Sequence, residues 1–435
     1  MQQMPNSVYM VGIGGIGMSA LAQLLFSRGV RVSGSDRDES PVTALLAQKG
    51  IRVWIGHDQC NIPADCDLLV YSDAVPSENA ERVRARAMHI RELSYFEALG
   101  EISTNMRTIA VAGTHGKTTT TGMLAAILQR GGYEPTAIVG SIVKDFGSNF
   151  VPPSSAKASE GTTNKPDLFV VEACEYRDHL LKLSPELLVI TNIELDHTDY
   201  FPTLDALKET FRRAAERVPA HGAIVTNPND AIIADVIARA SARIVDYSGE
   251  PVPELGLIGE FNRMNARAAS AAAKAAFPGI KQGSIDDALA QFRGSWRRFE
   301  YKGETPQGAM VYDDYAHHPT AVAKTIEAAR EKFAGKRIVV AFHPHLYSRT
   351  KSFLQEFAAA LALADKAIVA PIYAAREAPD PSISHHILAN ASGKSTIALD
   401  SFDAIRDELL KENSDSVIIT MGAGDIYKVA EQIAD

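Results

Sequence analysis

Short apolar runs bounded by glycine or polar turns alternate along the chain with longer stretches whose apolar positions recur at helical spacing. That alternation predicts strand–helix–strand units around parallel sheets. VYMVGIGGIGMSALAQLLFSRG reads as a strand, a glycine turn and a helix, and further strands follow at RVSGSD and DLLVYSD. After GEISTNMR a strand begins at TIAVAG, followed by a helix over 117–130, strands at DLFVVEA, LLVITNI and GAIVTN, and a helix over 204–217. From about residue 300 the alternation restarts, with strands at AMVYDDY, RIVVAFH, KAIVAPIY and VIITMG and helices over 319–333, 352–363, 402–411 and 425–433.

The 435 residues exceed one ordinary core. Three consecutive α/β domains fit, over 1–105, 106–297 and 298–435. VPPSSAKASEGTTNKPD (151–167) reads as an exposed loop inside the middle block. Apolar residues at 46% and charged residues at 22% are the balance of a soluble globular chain. The net charge of −9 argues against a nucleic-acid binder or a polybasic membrane anchor, both of which need a basic surface. Cys60, Cys66 and Cys174 are odd in number and not spaced as metal ligands, which points to a reducing compartment. With neither a leader pattern nor a long apolar run, a cytoplasmic location is expected.

GIGGIG places Gly12, Gly14, Gly15 and Gly17 between a strand and a helix, where helix N-terminal N–H groups meet a diphosphate. Asp36 stands about 20 residues on, at the position where an acid meets a ribose hydroxyl. The turn alone does not distinguish NAD, FAD or a UDP-sugar.

AGTHGKTTTT, over 112–121, departs from the usual phosphate loop because Val111 stands where its first glycine belongs. Gly113 and Gly116 still fall where backbone bends around phosphate, and Lys117, Thr118 and Thr119 open the helix. Magnesium would need oxygen ligands at neighbouring strand ends. VVEACE offers Glu172 and Glu175 there, and NIELDHTDY offers Glu194, Asp196, His197 and Asp199. Such acids also serve as helix caps, but two clusters beside a phosphate loop favour a metal site.

GTHGKTTTT, EACE, TNIELDH, GEFNRMNARAA, YDDYAHHPT and HPHLYSRT, in this order, resemble the Mur ligases, ATP-dependent enzymes that add amino acids to the peptidoglycan precursor. With GIGGIGMSALA, YAAREAP and MGAGDIY the resemblance spans essentially the whole chain. It implies a Rossmann-like domain holding UDP-N-acetylmuramate through Gly12, Gly14, Gly15, Gly17, Asp36 and Ser72. It also implies a central P-loop ATPase-like domain and a Rossmann-like C-terminal domain that brings L-alanine; a monomer or homodimer is expected, the sequence not deciding between them. The shorter G-T-x-G-K-T loop is the family's own form, which accounts for Val111.

ATP would be held by Gly113, Thr114, His115, Gly116, Lys117, Thr118, Thr119, Asn262, Asn265 and Asp314, and Mg2+ by Thr118, Glu172 and His197. Catalysis would fall to Lys117, Glu172 and His197, with His317 or His318 as general base. His345 and Arg349 resemble the residues that grip the amino-acid carboxylate. LDALKETFRRAAERVPAHG has only Lys208, too early for the modified lysine of later-acting members, which favours the first-step branch. Leu346 stands where many first-step members carry arginine, leaving glycine and serine as competing amino acids. Other readings are a recycling ligase that adds L-Ala-γ-D-Glu-meso-diaminopimelate, a nicotinamide-dependent oxidoreductase, and a non-catalytic nucleotide-binding protein.

Overall fold

The computed structural model describes residues 5–153, 167–375 and 377–434. Most of the loop expected over 151–167 therefore lies outside the described residues. Three sheets carry the fold. The first is fully parallel, with order β3-β2-β1-β4-β5, formed by β1 (Ser7–Val11), β2 (Arg31–Asp36), β3 (Arg52–Ile55), β4 (Leu68–Tyr71) and β5 (Arg91–Ser94).

The second sheet contains β6 (Arg107–Ala112), β7 (Thr136–Val143), β8 (Ser148–Val151), β9 (Leu168–Glu172), β10 (Leu187–Ile190), β11 (Ala223–Thr226) and β12 (Arg243–Asp246). Its order is β12-β11-β10-β6-β9-β7-β8, antiparallel only at the β7–β8 hairpin. The third contains β13 (Glu300–Glu304), β14 (Met310–Asp314), β15 (Arg337–Phe342), β16 (Lys366–Val369), β17 (Thr396–Ala398) and β18 (Ser416–Met421). Its order is β13-β14-β18-β15-β16-β17, antiparallel only at β13–β14.

These are the three α/β blocks expected from the alternation, but the apolar runs revealed only part of each sheet. All six outermost strands, β3, β5, β8, β12, β13 and β17, escaped the sequence reading, as did β7. Strands β3, β12 and β13 are largely exposed or half-buried, so they lack the continuous apolar run of a strand covered on both faces. The helix expected over 352–363 is two helices, Tyr347–Ser352 and Leu354–Leu361, interrupted at Phe353, whose φ of −115° and ψ of 29° leave the helical region.

The described parts of Met1–Ile193, Lys208–Glu254 and Met264–Arg293 form one compact unit, which carries the first two sheets. Glu194–Leu207, Leu255–Arg263 and Gly294–Asp435 form a second, which carries the third sheet. Within the first unit, the helix Ile16–Ser27 that follows the glycine turn is fastened to β8 by a buried amide network. Gln23 Nε2 donates to Asn149 Oδ1 at 3.0 Å, Asn149 Nδ2 donates to Ser19 Oγ at 2.9 Å, and Ser148 Oγ donates to Gln23 Oε1 at 3.0 Å. Every amide in that joint finds a partner, so it orients the first sheet against the second without an unsatisfied buried group.

In the second unit, apolar side chains fill both faces of the sheet. Ile338, Val340, Phe342, Val417 and Ile419 pack on one side, and Val339, Ala341, Ile368 and Ile418 on the other. No helix among the described residues is long and apolar enough to cross a membrane.

Candidate active site

In the first sheet the strand order reverses at β1, whose neighbours are β2 and β4. Ligands of open α/β sheets bind at such a switch point, outside the carboxyl ends of the strands. Gly12 follows β1 with φ +79°, and a Cβ on it would come within 3.0 Å of Ser72 Cβ beyond β4. Gly12 N and Ile13 N donate to Ser35 O at 2.8 and 3.0 Å, and Gly14 N donates to Asp36 Oδ2 at 2.8 Å. One Asp36 oxygen thus shapes the turn itself. Gly15 caps the helix Ile16–Ser27 with no side-chain bond of its own. A Cβ on Gly17 would stand 2.6 Å from the Tyr95 ring.

Strand β6 ends at Ala112, and Gly113 to Gly116 lead into the helix Lys117–Arg130. Two glycines are demanded by space as well as by backbone angle. Gly113 has φ +129° and a Cβ there would lie 2.1 Å from Thr191 Oγ1; Gly116 has φ +82° and its Cβ would lie 2.1 Å from Asn265 Oδ1. The loop is drawn tight from the end of β10. Thr114 N donates to Asn192 O at 3.0 Å, His115 N to Asn192 Oδ1 at 2.9 Å, and Thr191 Oγ1 to His115 O at 2.6 Å. Thr118 and Thr119 sit in the first helical turn, whose N–H groups have no partner within the helix and attract anions.

The Lys117 ammonium donates to Gly113 O at 2.5 Å, to Thr114 O at 3.1 Å and to both Glu175 oxygens at 3.1 and 3.0 Å. Burial works to lower its pKa, but the Glu175 carboxylate, with Glu172 beyond it, outweighs that and holds it above the ordinary lysine value. Thr118 Oγ1 donates to Glu172 Oε1 at 3.2 Å, and Gly140 N donates to Glu172 Oε2 at 2.8 Å. Hence Thr118 and Glu172 meet, while Glu175 is the lysine's counter-ion. Burial, then Glu175, pushes the Cys174 thiol up to about 12, so it stays protonated and unreactive.

Four residues here were not singled out from sequence: Thr191, Asn192, Gly140 and Tyr95. Thr191 and Asn192 lie inside the quoted TNIELDH, but their contacts to the loop are 76 and 77 residues away in sequence. Gly140 left a trace, a glycine within the apolar TAIVGSIV, which marks a close approach in a strand. A Cβ on it would stand 2.3 Å from Glu172 Oε2. Burial, followed by Glu172, raises the Tyr95 phenol well above its ordinary value, so the ring that packs on Gly17 is also within electrostatic reach of Glu172.

Helix Glu260–Ala276 carries both asparagines. Asn265 packs on Gly116, whereas Asn262 belongs to the second unit and its Nδ2 donates to Ile258 O at 2.8 Å.

His197, also of the second unit, has φ +54° and its N–H donates to Asp196 Oδ1 at 2.6 Å. Arg349 donates to that same Oδ1 from Nε at 2.9 Å and Nη2 at 2.7 Å, and its Nη1 lies 3.0 Å from His345 Nδ1. The guanidinium proposed to grip a substrate carboxylate is therefore already forked onto a carboxylate of the chain. Burial opposes ionisation of Asp196, but Arg349 overcomes it and holds the carboxyl well below its ordinary value.

The structure holds the two histidines offered as general base in different ways. His318 caps the helix Pro319–Lys332, its Nδ1 accepting from Thr320 N at 3.4 Å and its Nε2 donating to Leu195 O at 3.1 Å. Both ring nitrogens serve the fold. His317 Nδ1 donates to Tyr315 O at 2.9 Å, which leaves the lone pair on Nε2. Burial, then Arg349, holds its pKa well below the ordinary value, so the ring is neutral. Asp314, at the end of β14, accepts from Phe299 N and Ala316 N, both at 2.7 Å, and burial raises its pKa to about 6.

Family models described as "Mur ligase family, catalytic domain", "Mur ligase middle domain" and "Mur ligase, glutamate ligase domain" match residues 7–107, 111–252 and 297–424. A UDP-N-acetylmuramate–L-alanine ligase of Caldicellulosiruptor bescii is 36% identical, with 98% of each chain covered. That of Paenarthrobacter aurescens is 37% identical over 96% of this chain and 94% of its own. The crystal structure of UDP-N-acetylmuramate-alanine ligase from Thermotoga maritima superposes with a TM-score of 0.78 at 26% identity, covering 98% of both chains. This chain belongs to the Mur ligase family.

Proposed function

We propose that the protein joins L-alanine to the carboxylate of UDP-N-acetylmuramate at the expense of ATP, releasing ADP and phosphate. The observation that carries this reading is the phosphate loop with Lys117 against Glu175 and Thr118 against Glu172, in one compact unit with the Gly12–Gly17 turn. A carboxylate is a poor electrophile, so its oxygen first attacks the γ-phosphorus of ATP, giving an acyl phosphate and ADP. The alanine amine, having lost its proton, then attacks the acyl carbon through a tetrahedral intermediate that collapses with loss of phosphate.

The loop backbone and Lys117 bind the phosphates and offset charge on the transferring group, the protein's main task in such transfers. Reaching phosphate requires Lys117 to exchange at least part of its Glu175 contact for the nucleotide. Glu172 and Thr118 fit magnesium: both are hard oxygen donors, and their 3.2 Å separation is close to the roughly 2.9 Å between adjacent ligands of an octahedral ion with bonds near 2.05 Å. His197 is the further proposed ligand. Magnesium, when bound, supplies neutralisation of the phosphate oxygens.

His317, neutral with its lone pair on Nε2, is the better base candidate for the amine proton. Asp314 is retained as the proposed ribose contact, and His345 with Arg349 as the proposed amino-acid grip. Arg349 uses three of its five N–H donors on Asp196 and His345, so a substrate carboxylate would share the remaining ones.

The test is phosphate release with ATP, magnesium and UDP-N-acetylmuramate, comparing L-alanine, glycine, L-serine and L-Ala-γ-D-Glu-meso-diaminopimelate. Release that depends on the nucleotide sugar and on L-alanine supports the reading. Dependence on the tripeptide moves the chain to the recycling reaction, and no release with any amine sinks a ligase role.

A further inference from the structure

His385 and His386 open the short helix His385–Ala391, and Asp400 follows β17. Neither the phosphate loop nor the proposed amino-acid grip uses them. Their ring nitrogens nevertheless converge: His385 Nε2 and His386 Nε2 lie 2.8 and 3.0 Å from the same oxygen, Asp400 Oδ1. The three ligand atoms all stand within 4.8 Å of one another. We propose that His385, His386 and Asp400 form a binding site for a divalent ion of the zinc class, with three protein ligands and one open position.

The spacing is the first argument. Zinc bonds of about 2.0–2.1 Å place tetrahedral ligand atoms about 3.3 Å apart. The two His-to-Asp separations need to widen by only a few tenths of an ångström to admit the ion. Successive residues on a helix point about 100° apart, so two adjacent imidazoles do not meet at one point unless something gathers them. Asp400 gathers these, and an ion at the same centre would do so through stronger bonds.

The donor set is the second argument. Two imidazoles and one carboxylate suit zinc, cobalt or nickel, whereas magnesium takes oxygen. Metal binding asks each neutral ring to carry its proton on Nδ1 and present Nε2, a tautomer change that solvent supplies at a partly exposed site. One Asp400 oxygen already faces both rings at hydrogen-bond distance, which is the arrangement ligation requires.

Access is the third. Side-chain exposure rises from 13% at His385 to 55% at His386 and 77% at Asp400, so an ion enters without unfolding anything. Asp400 also borders a cavity of about 350 Å³ that Ser401, Phe402 and His343 help to line. An ion here would tie the helix His385–Ala391 to the loop after β17 and leave its fourth position for water or a small anion.

The test uses the full chain, stripped by chelator and returned to buffer with excess magnesium near neutral pH. Zinc is titrated against a chromogenic chelator, and cobalt is added separately to report coordination geometry by its visible absorption. The expected result is one more tight zinc equivalent in the parent protein than in Asp400→Asn or His386→Asn, with a tetrahedral cobalt spectrum that both variants lose. His386 is largely exposed, so its variant keeps the fold even if Asp400→Asn does not. Equal zinc stoichiometry in the parent and in folded His386→Asn would overturn the proposal.

Discussion

The Lys117 ammonium stands 3.0 Å from a Glu175 oxygen that is almost wholly buried, and the same lysine reaches back to two carbonyls of its own loop. The pair keeps a buried cation compensated before any phosphate arrives, which explains why an acid is needed three residues beyond Glu172.

Lys117→Met removes the cation proposed to meet the transferring group and leaves the loop glycines in place. Phosphate release falls by a factor on the order of 10³, the scale set by losing one preorganised charge partner. The melting temperature falls because buried Glu175 loses its cation, while far-UV circular dichroism below the transition stays unchanged. Retention of a tenth of the parent rate would refute the role given to this lysine.

Gly140→Ala places a carbon 2.3 Å from Glu172 Oε2, so the carboxylate must shift. Displacing a metal ligand through its neighbour costs roughly 10–100-fold in metal affinity. The magnesium concentration giving half-maximal rate therefore rises by that factor, while thermal stability changes little. An unaltered magnesium dependence would argue that Glu172 does not hold the ion.

Arg349→Met strands Asp196 as a buried, unpaired carboxylate, at a cost of about 3–5 kcal/mol. Both side chains are at most 6% exposed, so solvent does little to soften that loss. The double variant with Asp196→Asn recovers much of it in denaturant titration. If Arg349 also grips substrate, the double variant keeps a raised KM for L-alanine although its stability has returned.

Asp314 titrates near 6 in the folded protein and near 3.8 when unfolded. A raised folded pKa means that the native state holds the proton more tightly. Its contribution is fully present below about 3.8, fades as pH rises through about 6, and is absent above. Asp314→Asn therefore gains stability relative to the parent as pH rises from 4 to 7, measured as the difference between their melting temperatures. A difference that is flat across this range would contradict the burial argument.

The central strands were legible because they are covered on both faces and spell continuous apolar runs, as in RIVVAF and SVIITM. The outermost strands were not, because one side of each faces solvent or another element and local periodicity fades there. The candidate site divides along the same line. Gly113 to Thr118 form one contiguous strand-to-helix turn, so their chemistry is written locally, and the acids of EACE follow a recognisable strand.

What the sequence by itself determined is therefore the alternation, the glycine turn, the phosphate loop and the family pattern, all set by residues near one another along the chain. Only the tertiary structure decided that Glu175 pairs with Lys117, that Asn192 and Thr191 close the loop, that Gly140 makes room for Glu172, and that His318 serves the fold while His317 keeps a lone pair. Arg349 looked like an unclaimed cation for the same reason, its partner Asp196 being 153 residues away. Hydrogen bonds and ion pairs act over about 3 Å of space whatever the distance along the chain, so a one-dimensional pattern identifies the groups but not which of them is already taken.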